Sequence, residues 1–285
     1  MDFQHVKASD KAVPTVWFVV GDPLPLSPVD AALKQHLISV GVRVLLMRDA
    51  EFAVQKSTRL WPTVSAAVIS GSCRDSFWTD AAVLGSHPAS SSMATSRGPG
   101  PALPLLLLHR SSLVQLGLGR GPQWVRGGAV RLANASHPIA AGLRRGHVPI
   151  YEHPARILVV AESCAALVIA HTPVQPAGGQ PAGGQPAGGQ PAVFAYESGA
   201  PLCNSVPAPA RRAVLGLSPE SFAGELSVQA SGMLGSALLW LIGAPASELR
   251  ILSRAMYSRA AARVDSPEAL AEFRSYAQLR QARWQ

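Results

Sequence analysis

Cysteine is scarce: the 285 residues hold three, Cys73, Cys164 and Cys203, an odd number with no Cys-x-x-Cys spacing. That pattern argues against a structural zinc site or a disulfide framework, so free buried thiols are expected. Long apolar runs are missing too, none reaching the roughly 18 residues that a membrane-spanning helix needs. The opening residues MDFQHVKASDK lack an apolar signal core, so residues 1–14 are expected to be a polar lead-in and the protein intracellular, in the cytoplasm. Acidic side chains are few, 17 Asp and Glu against 25 Lys and Arg, which gives a formal charge of +8 and a pI near 10.0. Such a balance permits attraction to nucleic acid, anionic membrane or acidic protein surfaces without choosing among them. With 48% hydrophobic and 15% charged residues the chain suits a large buried core rather than a disordered polyelectrolyte.

The strongest structural signal is Thr15-Val16-Trp17-Phe18-Val19-Val20, an apolar run ending at Gly21-Asp22. Unbroken runs of β-branched and aromatic residues mark strands covered on both faces, as in a parallel sheet clad by helices. Ser27 and Pro28 then open a helix to Val40, with apolar residues at helical spacing, and Val42 to Met47 forms a second strand. So short a return requires a right-handed crossover and makes the two strands parallel neighbours. A short helix over 51–60, a third strand over 64–71, a fourth at Leu105–Leu108 and a helix from Ser111 to Leu116, closed by Gly117, continue the pattern. Val130–Leu132 starts a fifth strand, and Val148–Tyr151 and Ile157–Ala161 are expected in an antiparallel extension. Ala166–Ala170 and Ala192–Glu197 read as a hairpin with an enlarged loop. Ala213–Leu217 is the last core strand, and Gly232 to Ile242 an apolar helix packed on the sheet.

Two stretches break the periodicity. Residues 85–104 are rich in Ser, Gly and Pro and are expected to form a long loop. Within 173–192 the unit Pro-Ala-Gly-Gly-Gln occurs three times between Pro176 and Gln190, with no large apolar side chain to bury. Three such copies do not stack as a solenoid; they read as a duplicated flexible insertion.

The order of these elements, with Ile69-Ser70-Gly71, Pro104 to Leu108, Ser136-His137-Pro138-Ile139-Ala140-Ala141-Gly142-Leu143, Arg212 to Leu217 and the Gly232–Trp240 helix, resembles the class I glutamine amidotransferase-like superfamily, its ThuA-like domains included. The resemblance implies a flavodoxin-like α/β fold over residues 15–243: a mostly parallel sheet with helices on both faces, an antiparallel extension, and extra C-terminal helices over 244–285. Where that family places its catalytic cysteine, after the fourth strand, this chain has His109-Arg110-Ser111. Neither Gly-x-Cys-x-Gly nor Gly-x-Ser-x-Gly stands there, and no His-x-Glu pair closes the domain. Amidotransferase activity is therefore expected to be lost, since the thiolate must be generated and oriented at that turn.

Three other residues are the catalytic candidates: Cys73, in Gly71-Ser72-Cys73-Arg74-Asp75, with Arg74 to lower its pKa and His109 or His137 as partner; His137, before a proline at a strand end; and Glu197, at the end of a strand. In a ThuA-like hydrolase or small-molecule-binding enzyme they would converge on one strand-end cleft. Equally, Cys73 reads as an ordinary loop thiol and His137 as a ring that holds its turn. Glu152, His153 and Glu197 match no metal-ligand spacing, and Gly117 to Pro122 ends a helix where a phosphate loop would open one. No cofactor is expected, flavin included.

Basic residues offer another route to function. Arg250, Arg254, Arg259, Arg263, Arg274, Arg280 and Arg283 lie on the two C-terminal helices, about 247–264 and 266–283, against four acidic residues from Ala244 onward. From Arg110 to Tyr151 there are six arginines and no Asp or Glu. The leading expectation is a non-catalytic binding or scaffold module that docks a protein partner through these C-terminal arginines. The alternatives are the ThuA-like enzyme and an RNA- or ribosome-associated protein, although no nucleic-acid-binding signature accompanies the charge.

Overall fold

A computed structural model describes residues 13–54, 64–75, 103–164, 167–173, 189–223 and 226–245. The C-terminal arginines, most of the Ser/Gly/Pro-rich stretch and most of the repeat fall outside these residues.

β1 (Thr15–Val20) is buried along nearly its whole length, as its unbroken apolar run requires. α1 (Pro28–Ser39) begins where Ser27 Oγ accepts the Asp30 N–H, and it returns the chain to β2 (Arg43–Arg48), parallel to β1. α2 (Asp49–Val54) leads on to β3 (Ala66–Ile69), which pairs parallel with the other edge of β1. β4 (Leu105–Leu107) and α3 (Arg110–Gln115) follow. Gly117, at φ +66°, lets the chain leave α3 through the left-handed region that side chains disfavour.

The next segment holds a strand that periodicity missed. β5 (Gln123–Gly127) pairs antiparallel with β8 (Ala155–Val159) as a separate two-stranded sheet. β6 (Ala129–Leu132) and β7 (His147–Pro149) instead close one edge of the main sheet. The expected extension over 148–161 is thus split between two sheets. β9 (Leu167–His171) and β10 (Pro191–Tyr196) form the expected antiparallel pair. β11 (Arg212–Leu215) inserts between β10 and β4, parallel to β4. α4 (Val228–Leu241) starts four residues before the expected Gly232, because the Ser227 hydroxyl caps it by accepting the Ala230 N–H.

The result is an α/β fold around a large mixed sheet in the order β2-β1-β3-β4-β11-β10-β9-β6-β7, parallel from β2 to β11 and antiparallel beyond. Alternation along β1 sends Val16, Phe18 and Val20 to one core with α1 and α4, and Trp17 and Val19 to the other with Phe52 of α2 and Leu113 of α3. His36 Nε2 meets the Ser231 carbonyl at 3.1 Å and fixes α1 against α4. Among the described residues no helix is long and apolar enough to cross a membrane.

Two of the three cysteines depart from expectation. Cys164 and Cys203 are joined by a disulfide across 39 residues, and only Cys73 is a free thiol. The bond ties the segment between β8 and β9 to the loop between β10 and β11, an adjacency that depends on tertiary structure and leaves no spacing in the sequence. Beside it the buried Tyr196 hydroxyl lies 2.7 Å from the Leu118 carbonyl and 2.6 Å from that of Ser163. Tyr196→Phe leaves those carbonyls without the hydroxyl and is expected to cost about 1–3 kcal/mol, read as a lowered urea midpoint at unchanged m-value.

Candidate functional site

Open α/β sheets hold ligands beyond the carboxyl ends of their parallel strands. Here the edge is filled at β1. A Cβ on Gly21 would meet the Ser72 carbonyl oxygen at 2.3 Å, and the Gly21 N–H donates to Ser72 Oγ at 3.3 Å, so the turn after β3 lies across the end of β1. Two buried aspartates secure that turn. Asp30 accepts from Ser70 Oγ, and Asp49 Oδ2 accepts the Arg74 N–H at 2.9 Å.

The opening lies one step along, beyond β3, β4 and β11. An open cleft of about 810 Å³ is lined there by Asp75, His109, Ser111, Val114, Trp124 and Pro219, among others. It includes the corner after β4, where α3 begins. Ser111 Oγ donates to Asp75 Oδ1, and His109 Nε2 lies 3.4 Å from the same oxygen. The carboxylate thus stands between hydroxyl and imidazole, whereas a nucleophilic serine gives its proton to the imidazole and the carboxylate orients the far side of the ring. Burial pushes the His109 pKa down, opposed by Asp75 and by the Cys73 carbonyl. A neutral imidazole, a hydroxyl and an exposed carboxylate suit the hydrogen-bonding of a polar ligand.

The sequence candidates fall at opposite ends of the sheet. Cys73 follows the carboxyl end of β3, but its thiol is buried and donates to the Val19 carbonyl at 3.3 Å. Burial, then Asp49 and Asp30, push its pKa well up, which keeps it protonated and outweighs any help from Arg74. Glu197 and His137 lie at the amino end of β11, because β10 runs antiparallel to it and Tyr196 pairs with Arg212. There Glu197 Oε2 accepts from Arg211 Nε at 2.9 Å, and the Arg211 guanidinium lies 5.0 Å from the centroid of the Trp240 ring, with Nη1 donating to the Trp240 carbonyl at 2.7 Å. His137 packs edge-on against the same indole at 5.2 Å, and its Nδ1 accepts the Ile139 N–H. It holds its turn, and Arg211 takes up Glu197. Glu152 and His153 are exposed, and the described residues contain no cluster of three or more His, Cys, Asp or Glu able to hold a metal.

No spacing in the sequence joins His109, Asp75 and Ser111. The one available signal was the position of His109-Arg110-Ser111 after the fourth strand; Asp75 is 36 residues from Ser111, at the end of another strand.

Burial is the largest cause lowering the pKa of His36, His109, His137 and His171 from the ordinary 6.5. The unfolded chain takes up these protons before the folded protein does. The stability involved is therefore present above about pH 6.5 and lost as pH falls toward the depressed folded values. The urea midpoint is expected to drop between about pH 7 and pH 5, above most carboxylate titrations; a flat profile would contradict it.

No protein-family model matches this chain and a search of curated proteins finds no match, so the functional reading rests on its own geometry.

Proposed function

We propose that this chain is a flavodoxin-like, amidotransferase-like module that binds a small polar ligand in the cleft beyond β3, β4 and β11 and performs no acyl transfer. The order β2-β1-β3-β4-β11 supports the first part, since it is the 2-1-3-4-5 order of that doubly wound class. The observation that carries the second part is the corner after β4. It offers Ser111 bound to Asp75 instead of a thiolate, and the nearby Cys73 thiol is buried and protonated. Partner docking through Arg250, Arg254, Arg259, Arg263, Arg274 and Arg280 remains part of the proposal. Those side chains lie outside the described residues.

Purified protein is expected to show no hydrolysis of L-glutamine or simple esters, and Cys73→Ser to change nothing in that assay. Native mass spectrometry should detect a small molecule held by the wild type and absent from Val114→Trp, whose indole would fill the cleft from an exposed position. Turnover that depends on Ser111 or Cys73 would overturn the binding reading. For the docking part, Arg250→Glu with Arg254→Glu in the full chain should abolish partner capture from native extract and leave the melting temperature unchanged.

A further inference from the structure

The two-stranded sheet sets Arg126 directly opposite Arg156. Cross-strand partners lie about 4.5–5.5 Å apart at Cβ, and like charges in that position repel. Ion pairs among the described residues engage Arg48, Arg120 and Arg211 but neither of these two. Glu220 feels the charge of Arg156, yet its carboxylate already accepts from Ser218 Oγ, and that hydrogen bond lowers its pKa more than the arginine does. Both guanidiniums are exposed and rim an open hollow of about 380 Å³ floored by Trp124, Val125, Pro154 and Ala155. Alternation places Trp124 and Arg126 on one face of β5, with Leu158 and Arg156 opposite them.

We infer that this notch is a binding site for a phosphate group carried by a small molecule. Two guanidinium forks side by side offer more donors than one carboxylate can use, because a single fork already satisfies both of its oxygens. A phosphate has oxygens and charge enough for both forks, and its attraction to each offsets the repulsion between the arginines. The hollow exceeds the volume of a phosphate alone, leaving room against the Trp124 indole for the group that bears it. Trp124 lines both this hollow and the strand-end cleft, so the two adjoin, with the arginines on the side away from His109 and Ser111.

The test uses the full chain with pyrophosphate, inorganic phosphate and citrate as probes, at ionic strength matched with chloride. Calorimetric titration should show saturable pyrophosphate binding at least about tenfold tighter than citrate. Arg126→Gln with Arg156→Gln should weaken it at least about tenfold, while the ligand-free melting temperature stays equal or rises because the repulsion is gone. Arg126→Lys with Arg156→Lys keeps the charge and loses the forks, so the preference over citrate should vanish. Equal affinity for citrate and pyrophosphate would overturn the assignment. So would pyrophosphate binding that survives in the glutamine variant, or binding of an oligonucleotide alone, which marks a nonspecific basic face. Loss of pyrophosphate binding in Val114→Trp instead would move the anion to the strand-end cleft and likewise defeat the inference, whereas failure of the cleft reading alone leaves the arginine results untouched.

Discussion

Replacing Cys164 and Cys203 together by serine is expected to lower the unfolding free energy by up to about 4 kcal/mol and the melting temperature by roughly 10 °C. The bond closes a 39-residue loop, and most of the effect comes from the freedom its removal restores to the unfolded chain. In the folded protein it joins two segments that hydrogen bonds also tie to the chain after α3. The Cys203 N–H donates to the Gly117 carbonyl at 2.7 Å, and Arg120 reaches the Cys203 carbonyl at 3.1 Å. Thiol titration of denatured protein gives an independent count: only Cys73 before reduction, and all three cysteines after it. Three thiols without reductant, or a double variant as stable as the wild type, would show the bond to be absent in solution. Such bonds persist in oxidising compartments, so the disulfide pulls against the cytoplasmic expectation drawn from the opening residues.

Gly216→Ala is expected to cost about 3 kcal/mol, although it adds a single methyl group. The new Cβ would stand 2.0 Å from the Leu158 carbonyl oxygen and 2.8 Å from that of Ala192. Neither oxygen can swing aside as a long side chain would, because both belong to the backbone at a three-way crossing. Leu158 N–H donates to the Gly216 carbonyl at 2.9 Å, and Gly216 N–H donates to that of Ala192 at 2.8 Å. The crossing holds β8 against the ends of β10 and β11, so the substitution should also perturb the Arg126–Arg156 notch carried by the same strand. Gly128→Ala is the control. Its Cβ would meet Pro154 at an ordinary 3.7 Å, and its stability should stay within about 0.5 kcal/mol of the wild type. Chemical denaturation of the two variants side by side decides the matter; equal midpoints would refute the crossing argument.

What the chain wrote locally was legible. The run from Thr15 to Val20, the Ser27 cap and the Val42–Met47 strand determine a parallel β-α-β unit, because burial on both faces and a short crossover leave one arrangement. The apolar runs at Leu105, Ala192 and Ala213 determined further core strands. β5 was illegible, since Gln123-Trp124-Val125-Arg126-Gly127 has neither an apolar run nor a clean alternation, and its partner lies some thirty residues on. Only the tertiary structure could decide which cysteines meet, that Glu197 belongs to Arg211, that His137 stands at the amino ends of the strands, and that Asp75, His109 and Ser111 share one cleft. Each of these depends on the direction and order in which distant strands enter the sheet. That is set by how two cores close over both of its faces, and neighbouring residues carry no trace of it.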